Sequence, residues 1–219
     1  MNRIVSTLLD LLFPPRCVFC RRLLEDGEPE LCSACQKSLP WLTGAAAEQR
    51  GTWFALCVSP LAYRDTVRDS LRRYKFQGRR WYCRVYGALM AQCVRDHLDG
   101  QYDLITWAPL SEKRRRERGY DQAYLLASRM AEALGTQAVS TLRKIRHTAA
   151  QSGLEEDAAR RSNVQGAYQV LDPALVRGKR VLLADDIVTT GSTLAACAQA
   201  LAEAGAAEVF CVTAARARF

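Results

Sequence analysis

VLLADDIVTTGST occupies residues 181–193, and its reading decides the fold. Val181, Leu182, Leu183 and Ala184 form an unbroken apolar run, the mark of a strand buried on both faces of a parallel sheet. Asp185 and Asp186 close that strand, and Thr189, Thr190, Gly191, Ser192 and Thr193 open a helix. Gly191 allows a tight turn and a close approach of backbone to ligand. A helix start offers unpaired N–H groups and a partial positive charge, which suit a phosphate. Carboxylates beside a phosphate would repel it. They make sense where they accept hydrogen bonds from a neutral sugar diol or meet hydrated Mg2+. The stretch therefore predicts a ligand with a phosphate at one end and a ribose diol beside it. An ordinary strand–helix unit with Ser192 as N-cap explains the serine but leaves two adjacent acids without a role.

Outward from this stretch, strands alternate with helices. Val67, Leu71 and Tyr74 recur at helical spacing from Asp65, with Gly78 just past the end. A second helix is predicted over about 81–98, on Val85, Leu89, Cys93 and His97. YDLITWAP reads as a buried strand ending at Pro109, followed by a basic loop and a helix over about 121–134. QAVSTLRK and GAYQV read as short strands around a polar segment at 145–165, predicted as loop with a short helix. GKRVLLADD is a strand, 192–204 a helix with Gly205 after it, and AEVFCVTAA the last strand. The alternation predicts an α/β protein with a mostly parallel sheet flanked by helices, binding its ligand at the carboxyl ends of its strands.

The loop PLSEKRRRERGYDQA, residues 109–123, leaves one of those ends. Lys113, Arg116 and Arg118 are the candidate cations for a pyrophosphate, which needs positive charge and donors near it. A solvated face and a nucleic-acid contact are the other readings of the run, with Tyr120 as its one nearby stacking ring.

The chain of 219 residues is long enough for one α/β domain and a small appendage. Its net charge of +8 favours anionic partners: phosphates, nucleic acid or acidic lipid. Four of the nine cysteines form two CxxC pairs, Cys17/Cys20 and Cys32/Cys35. Two such knuckles put four thiolates in reach of a tetrahedral structural zinc, and a pair of redox dithiols is the rival. The other five read as buried small hydrophobes, and the odd total argues for a reducing cytoplasm over a secreted disulfide framework. MNRIVSTLLDLLFPP is too polar for a signal peptide and too short to span a bilayer. Ile4, Leu8, Leu11 and Leu12 make it an amphipathic helix, stopped by Pro14 and Pro15. The segment 37–52 shows no period and reads as a linker. It divides residues 1–52 (helix, four-cysteine module and linker) from a domain over 53–219.

VLLADDIVTTGST resembles the phosphoribosyl-pyrophosphate (PRPP) motif of type I phosphoribosyltransferases. The resemblance implies that Asp185 and Asp186 take the ribose and Thr189–Thr193 the 5′-phosphate. A narrower likeness covers nearly the whole chain. YKFQG at 74–78, RGYDQ at 118–122, Lys144-Ile-Arg146 with Thr148 and Gln151, and Arg161-Ser-Asn163 with Ala167 and Tyr168 resemble the ComF/GntX family. Lys144 stands where that family has arginine, and Asp121 where it has asparagine; a carboxylate cannot donate the hydrogen bond an amide can.

That likeness implies a type I phosphoribosyltransferase fold with an N-terminal zinc-finger-like module. It also implies service in DNA uptake, in competence or nutrient use, from the cytoplasmic side. Two functions follow. One is an enzyme that binds PRPP with Mg2+ and displaces pyrophosphate, its acceptor and general base unidentified. The other is a non-catalytic accessory protein that binds single-stranded DNA or a helicase-like uptake partner.

Overall fold

The computed structural model describes residues 14–25, 28, 30–145 and 166–217. Its strands are β1 (Glu48–Gln49), β2 (Leu56–Val58), β3 (Leu104–Trp107), β4 (Leu142–Lys144), β5 (Tyr168–Val170), β6 (Arg180–Val188) and β7 (Glu208–Arg216). Its α-helices are α1 (Ser33–Ser38), α2 (Asp65–Phe76), α3 (Cys83–Leu98), α4 (Glu112–Arg118), α5 (Gln122–Ala133) and α6 (Ser192–Glu203). The main sheet runs β1-β2-β7-β6-β3, parallel throughout except for β1, which pairs antiparallel with β2. β4 and β5 form a separate antiparallel pair.

The apolar run at 181–184 is buried on both sides, as its composition predicts. Leu182 and Ala184 join one core with Met90 of α3 and Leu126 and Met130 of α5. Val181 and Leu183 join a second core with Leu194, Cys197 and Leu201 of α6 and with Tyr168 of β5. The chain leaves β3 toward the first face and β6 toward the second, so the crevice between their carboxyl ends is a switch point that suits a ligand. Gly87 lets α3 and α5 approach closely: a Cβ there would lie 2.6 Å from Cβ of Arg129. The five scattered cysteines are all buried, as read from the sequence.

Four expectations are corrected. β6 does not stop at the acids: it continues to Val188, with Ile187 opposite Ala215 and Val188 opposite Arg216. The nine-residue β7 beside it offers backbone partners along that whole length. Trp81 precedes its helix, on a 3-10 turn over Arg80–Tyr82. The basic loop is the helix α4, capped by the Ser111 hydroxyl and ended by Gly119 at φ 74°. The linker contributes a 3-10 turn at Gly44–Ala47 and the edge strand β1, held by the Arg216 guanidinium on the carbonyls of Glu48, at 2.7 Å, and Ala46.

The four-cysteine module packs into the first core. Phe19 meets Tyr86 of α3 edge-on at 5.5 Å, and Ser70 and Arg73 of α2 donate to the carbonyl of Val18 at 2.9 and 3.1 Å. Burying Phe19 contributes roughly 2 kcal/mol to this seam. The amphipathic N-terminal helix and the 146–165 segment, with Arg146, His147, Thr148, Gln151, Arg161 and Asn163, lie outside the described residues. Among the described residues no helix is long and apolar enough to cross a membrane.

Candidate functional site

Successive residues of a strand point to opposite faces, so β6 sends its two acids to different sides. Asp186 faces α2, where the Lys75 ammonium meets its Oδ1 at 2.9 Å; the two side chains are only 19% and 12% exposed. Asp185 faces the second core, in the field of Lys144, Tyr168 and Cys197. The Asp186 N–H donates to Asp185 Oδ1 at 2.8 Å. Lys75 was not singled out from the sequence. Its signal lay in its phase, one residue past the buried stripe of Val67, Leu71 and Tyr74 and four past Leu71.

Asp121 adds a third carboxylate. Its Oδ1 accepts from the Tyr124 N–H at 3.1 Å and its Oδ2 from the Leu110 N–H at 3.0 Å. It therefore caps α5 and ties the exit of β3 to that helix, work an asparagine amide would do with only one oxygen. Burial, and secondarily the neighbouring carboxylate of Asp186, push Asp185 well above the usual carboxylate range. Burial pushes Asp121 up as well. Raised carboxylates mean that the folded chain holds more protons than the unfolded one. Stability is thus fully present below the unfolded carboxylate pKa and falls as pH rises toward the folded values. An Asp185→Asn chain is expected to melt a few °C higher than the native chain at pH 7–8, at roughly 2–4 °C per kcal/mol for a domain of this size. The gap should close near pH 4. An unchanged or lowered melting temperature at pH 8 would refute this reading of the acid pair.

The hydroxyl row lies where the sequence placed it. Gly191 has φ 77°, in the left-handed region, and stands directly before α6. Thr190 Oγ1 and Ser192 Oγ share a hydrogen bond of 2.8 Å, and the Ser192 N–H points at Thr190 Oγ1 at 3.4 Å. Thr189 is exposed, and Thr190, Ser192 and Thr193 are half-buried. The first-turn N–H groups of α6 lack partners within the helix, so the loop presents donors over one concave turn. Gly191→Val is expected to cost about 1–2 kcal/mol from backbone strain alone, because a Cβ meets nothing nearer than Val188 Cγ2 at 3.9 Å. Phosphate-dependent ligand binding should fall far more than stability, as read by calorimetry beside thermal melting.

The candidate cations of α4 divide. Arg118 is fixed, its Nη1 donating to Gln122 Oε1 at 2.9 Å and its guanidinium lying 5.0 Å above the Phe76 ring. Arg116 is highly exposed and pairs loosely with Glu112 at 3.5 Å, and Lys113 is exposed. Arg115, a further cation of the same run, lies on the wall of a cavity of about 930 Å³. That cavity opens between α4, α5 and β4 and also takes in Trp107, Asp121, Tyr124, Arg143 and Lys144. Trp107 and Tyr124 form a tilted ring pair at 4.9 Å. The acids of β6 and the hydroxyl row are not on its wall; it adjoins them through Asp121 and Lys144. Burial lowers the pKa of Lys144, whose ammonium also lies 5.0 Å above the Tyr168 ring.

The four cysteine sulfurs lie within 4.8 Å of one another. Cys20 Sγ and Cys32 Sγ are 3.7 Å apart, close to the roughly 3.8 Å that two ligands about 2.3 Å from a tetrahedral zinc would show. The Cys32 N–H points at Cys17 Sγ at 3.5 Å and the Cys35 N–H at Cys32 Sγ at 3.4 Å, the backbone support that metal thiolates receive. Cys17, Cys32 and Cys35 are buried, Cys20 exposed. The residues fit a closed structural zinc.

Comparison with known proteins agrees with both parts. The model of the double zinc ribbon domain matches residues 8–63, and that of the phosphoribosyl transferase domain matches residues 121–218. The first range holds the four clustered cysteines and the second holds the acid pair and hydroxyl row. The chain is thus a phosphoribosyltransferase-fold protein with an N-terminal zinc-ribbon module. Competence protein F of Haemophilus influenzae is 30% identical over 216 residues, which cover 89% of this chain and 93% of that protein. The DNA utilization protein YhgH of Salmonella typhimurium is 30% identical over 223 residues, 91% and 96% of the two chains. Competence protein ComFC of Streptococcus pneumoniae is 26% identical over 181 residues, 82% and 74%. The chain belongs to the ComF/GntX family.

Proposed function

We propose that this chain binds PRPP at the carboxyl end of β6 and serves DNA uptake or utilisation from the cytoplasmic side. The observation that carries the reading is the pairing of two near-buried acids, Asp185 and Asp186, with the hydroxyl- and N–H-lined turn Thr189–Thr193 on one continuous strand–loop–helix unit. The turn takes the 5′-phosphate through the N–H groups of Ser192 and Thr193 and the hydroxyls around them. Asp185 and Asp186 accept from the ribose diol.

Asp186 pairs with the Lys75 ammonium, and Asp185 and Asp121 lie in the field of Asp186, a group of acids that leaves a place for a divalent cation. Asp185 and Asp186 would hold a hydrated Mg2+, which would neutralise charge on the departing pyrophosphate. Arg118, held by Phe76 and Gln122, and Arg115 on the cavity wall are placed to meet the pyrophosphate. Lys113 and Arg116 supply longer-range attraction. Transfer then consists of an acceptor nucleophile forming a bond to the anomeric carbon as the bond to pyrophosphate breaks. The residues contribute positioning and stabilisation of the departing charge. The aromatic and cationic cavity beside the acids supplies space for that acceptor. The names competence protein F and DNA utilization protein borne by its relatives support the cellular setting.

Enzyme and accessory protein separate by turnover. The native chain is incubated with PRPP, Mg2+ and a panel of nucleobases and amines, and pyrophosphate release is followed. Release that depends on one acceptor and vanishes in Asp185→Asn/Asp186→Asn establishes the transferase. Tight PRPP binding without release establishes a ligand-gated accessory protein. Its partners are then single-stranded DNA or a helicase-like uptake protein. Absence of PRPP binding overturns the proposal.

A further inference from the structure

A second cavity, of about 510 Å³, lies on the other side of α2's end, in the seam between the zinc module and the body of the protein. Arg16 and Arg21 form its wall on the module side, and Arg79 and Arg84 on the body side. All four are exposed, and among the described residues Glu30 is the only acid on the wall. Glu30 engages Arg84 at 3.3 Å, and Arg16 donates to the Arg21 carbonyl at 3.2 Å, which holds two of the guanidiniums in place. Trp81 stands in the same wall, 36% exposed, its ring edge-on to buried Tyr82 at 4.5 Å and 84°. Tyr82 thus fixes the indole from behind and leaves indole surface open toward the groove. Arg79, Trp81 and Arg84 fall between residues 63 and 121, outside both matched domain models. Nothing in the phosphoribosyl chemistry uses them.

We infer that this groove binds single-stranded nucleic acid, with arginines on the phosphates and one base stacked on Trp81. The inference rests on the proposed DNA-handling role and assigns it a place. Phosphate groups account for four arginines against one glutamate. A ring standing among them selects a ligand that alternates phosphate with an exposed aromatic face, which a single strand has and a paired duplex hides. The 3-10 turn at Arg80–Tyr82 couples the groove to the other site: Arg80 points away from it, donating to the Gly119 carbonyl at 3.0 Å and covering the Tyr120 ring at 4.9 Å. The strand and the phosphoribosyl ligand therefore bind at separate places joined by one short turn.

The test uses the full zinc-loaded chain and a fluorescein-labelled oligo-dT of about 20 nucleotides, read by anisotropy at about 50 and 200 mM salt. The native chain should bind with steep salt dependence and quench indole fluorescence. Trp81→Ala should weaken binding roughly five- to hundredfold, and Trp81→Phe should restore most of it. Arg16→Glu/Arg79→Glu, a second route should the tryptophan variant misfold, should weaken binding at least tenfold and flatten the salt slope by about two. Asp185→Asn/Asp186→Asn should bind the oligonucleotide as the native chain does, and the groove variants should keep PRPP binding. Unchanged oligonucleotide binding in folded groove variants overturns the site and leaves the DNA-handling reading standing. Tighter binding of duplex than of single strand overturns it too. No oligonucleotide binding by the native chain, with PRPP still bound, overturns both together.

Discussion

Zinc removal is expected to cost the chain its N-terminal module and to lower the melting temperature of the rest. Cys17 and Cys32 are fully buried, and all four sulfurs crowd within 4.8 Å of one another. Without a cation, four crowded sulfurs lose the charge that would hold them together. Residues 14–39 also hold few apolar groups of their own, chiefly Val18, Phe19 and Leu39. Structural zinc contributes on the order of 10 kcal/mol to such modules, comparable with the whole net stability of a domain. The damage should spread, because Phe19 and the Val18 carbonyl are what Tyr86, Ser70 and Arg73 hold. Those contacts anchor α2, and α2 carries Lys75. Metal analysis should find one zinc per chain. A strong chelator, or Cys17→Ser/Cys32→Ser, should abolish the metal and drop the melting temperature by well over 5 °C. A metal-free native chain that forms disulfides reversibly and melts unchanged would establish redox dithiols in its place.

Lys75→Met should be the most damaging single substitution near the acids. The Lys75–Asp186 pair is more than four-fifths buried on both sides. Removing one partner of such a pair leaves an uncompensated charge, at a cost of about 3–5 kcal/mol. Asp186→Asn placed on top of Lys75→Met should recover most of the loss, since it removes the stranded carboxylate. Denaturant melts of the four chains in the double-mutant cycle measure the coupling, expected at about 2 kcal/mol or more. Additive losses would mean that the two side chains do not depend on each other.

The same residues show how far the sequence could be read. The run at 181–184 could only be a strand buried on both faces, and its neighbours in the cores confirm each side. Its length was not legible from its own composition. Asp185 and Asp186 read as a terminus because acids are poor strand residues, yet β7 supplies backbone partners beyond them. That extension is what sends the acids to opposite faces. α4 read as a loop because all seven of its residues are charged and it has no apolar stripe; Ser111 and Gly119, its two caps, were its only local signals. β1 is two residues long and exists because β2 lies beside it, a tertiary cause that no local pattern carries. Four clustered thiols were legible because spacing alone constrains them. Lys75 was not, since exposed-looking cations are common on helices and only the folded chain shows which one turns inward. The cavity of Trp107 and Tyr124 joins β3 to α5 and so belongs to no single stretch of sequence.

The central claim is that the acids of β6 and the turn after it hold PRPP. Calorimetric titration of PRPP into the zinc-loaded chain, with and without Mg2+, tests it most directly. The account predicts one site per chain, dependent on Mg2+, and lost by at least a hundredfold in Asp185→Asn/Asp186→Asn while that variant stays folded. A folded, zinc-loaded native chain that takes up no PRPP, or a double variant that binds it as well as the native chain, would contradict the account.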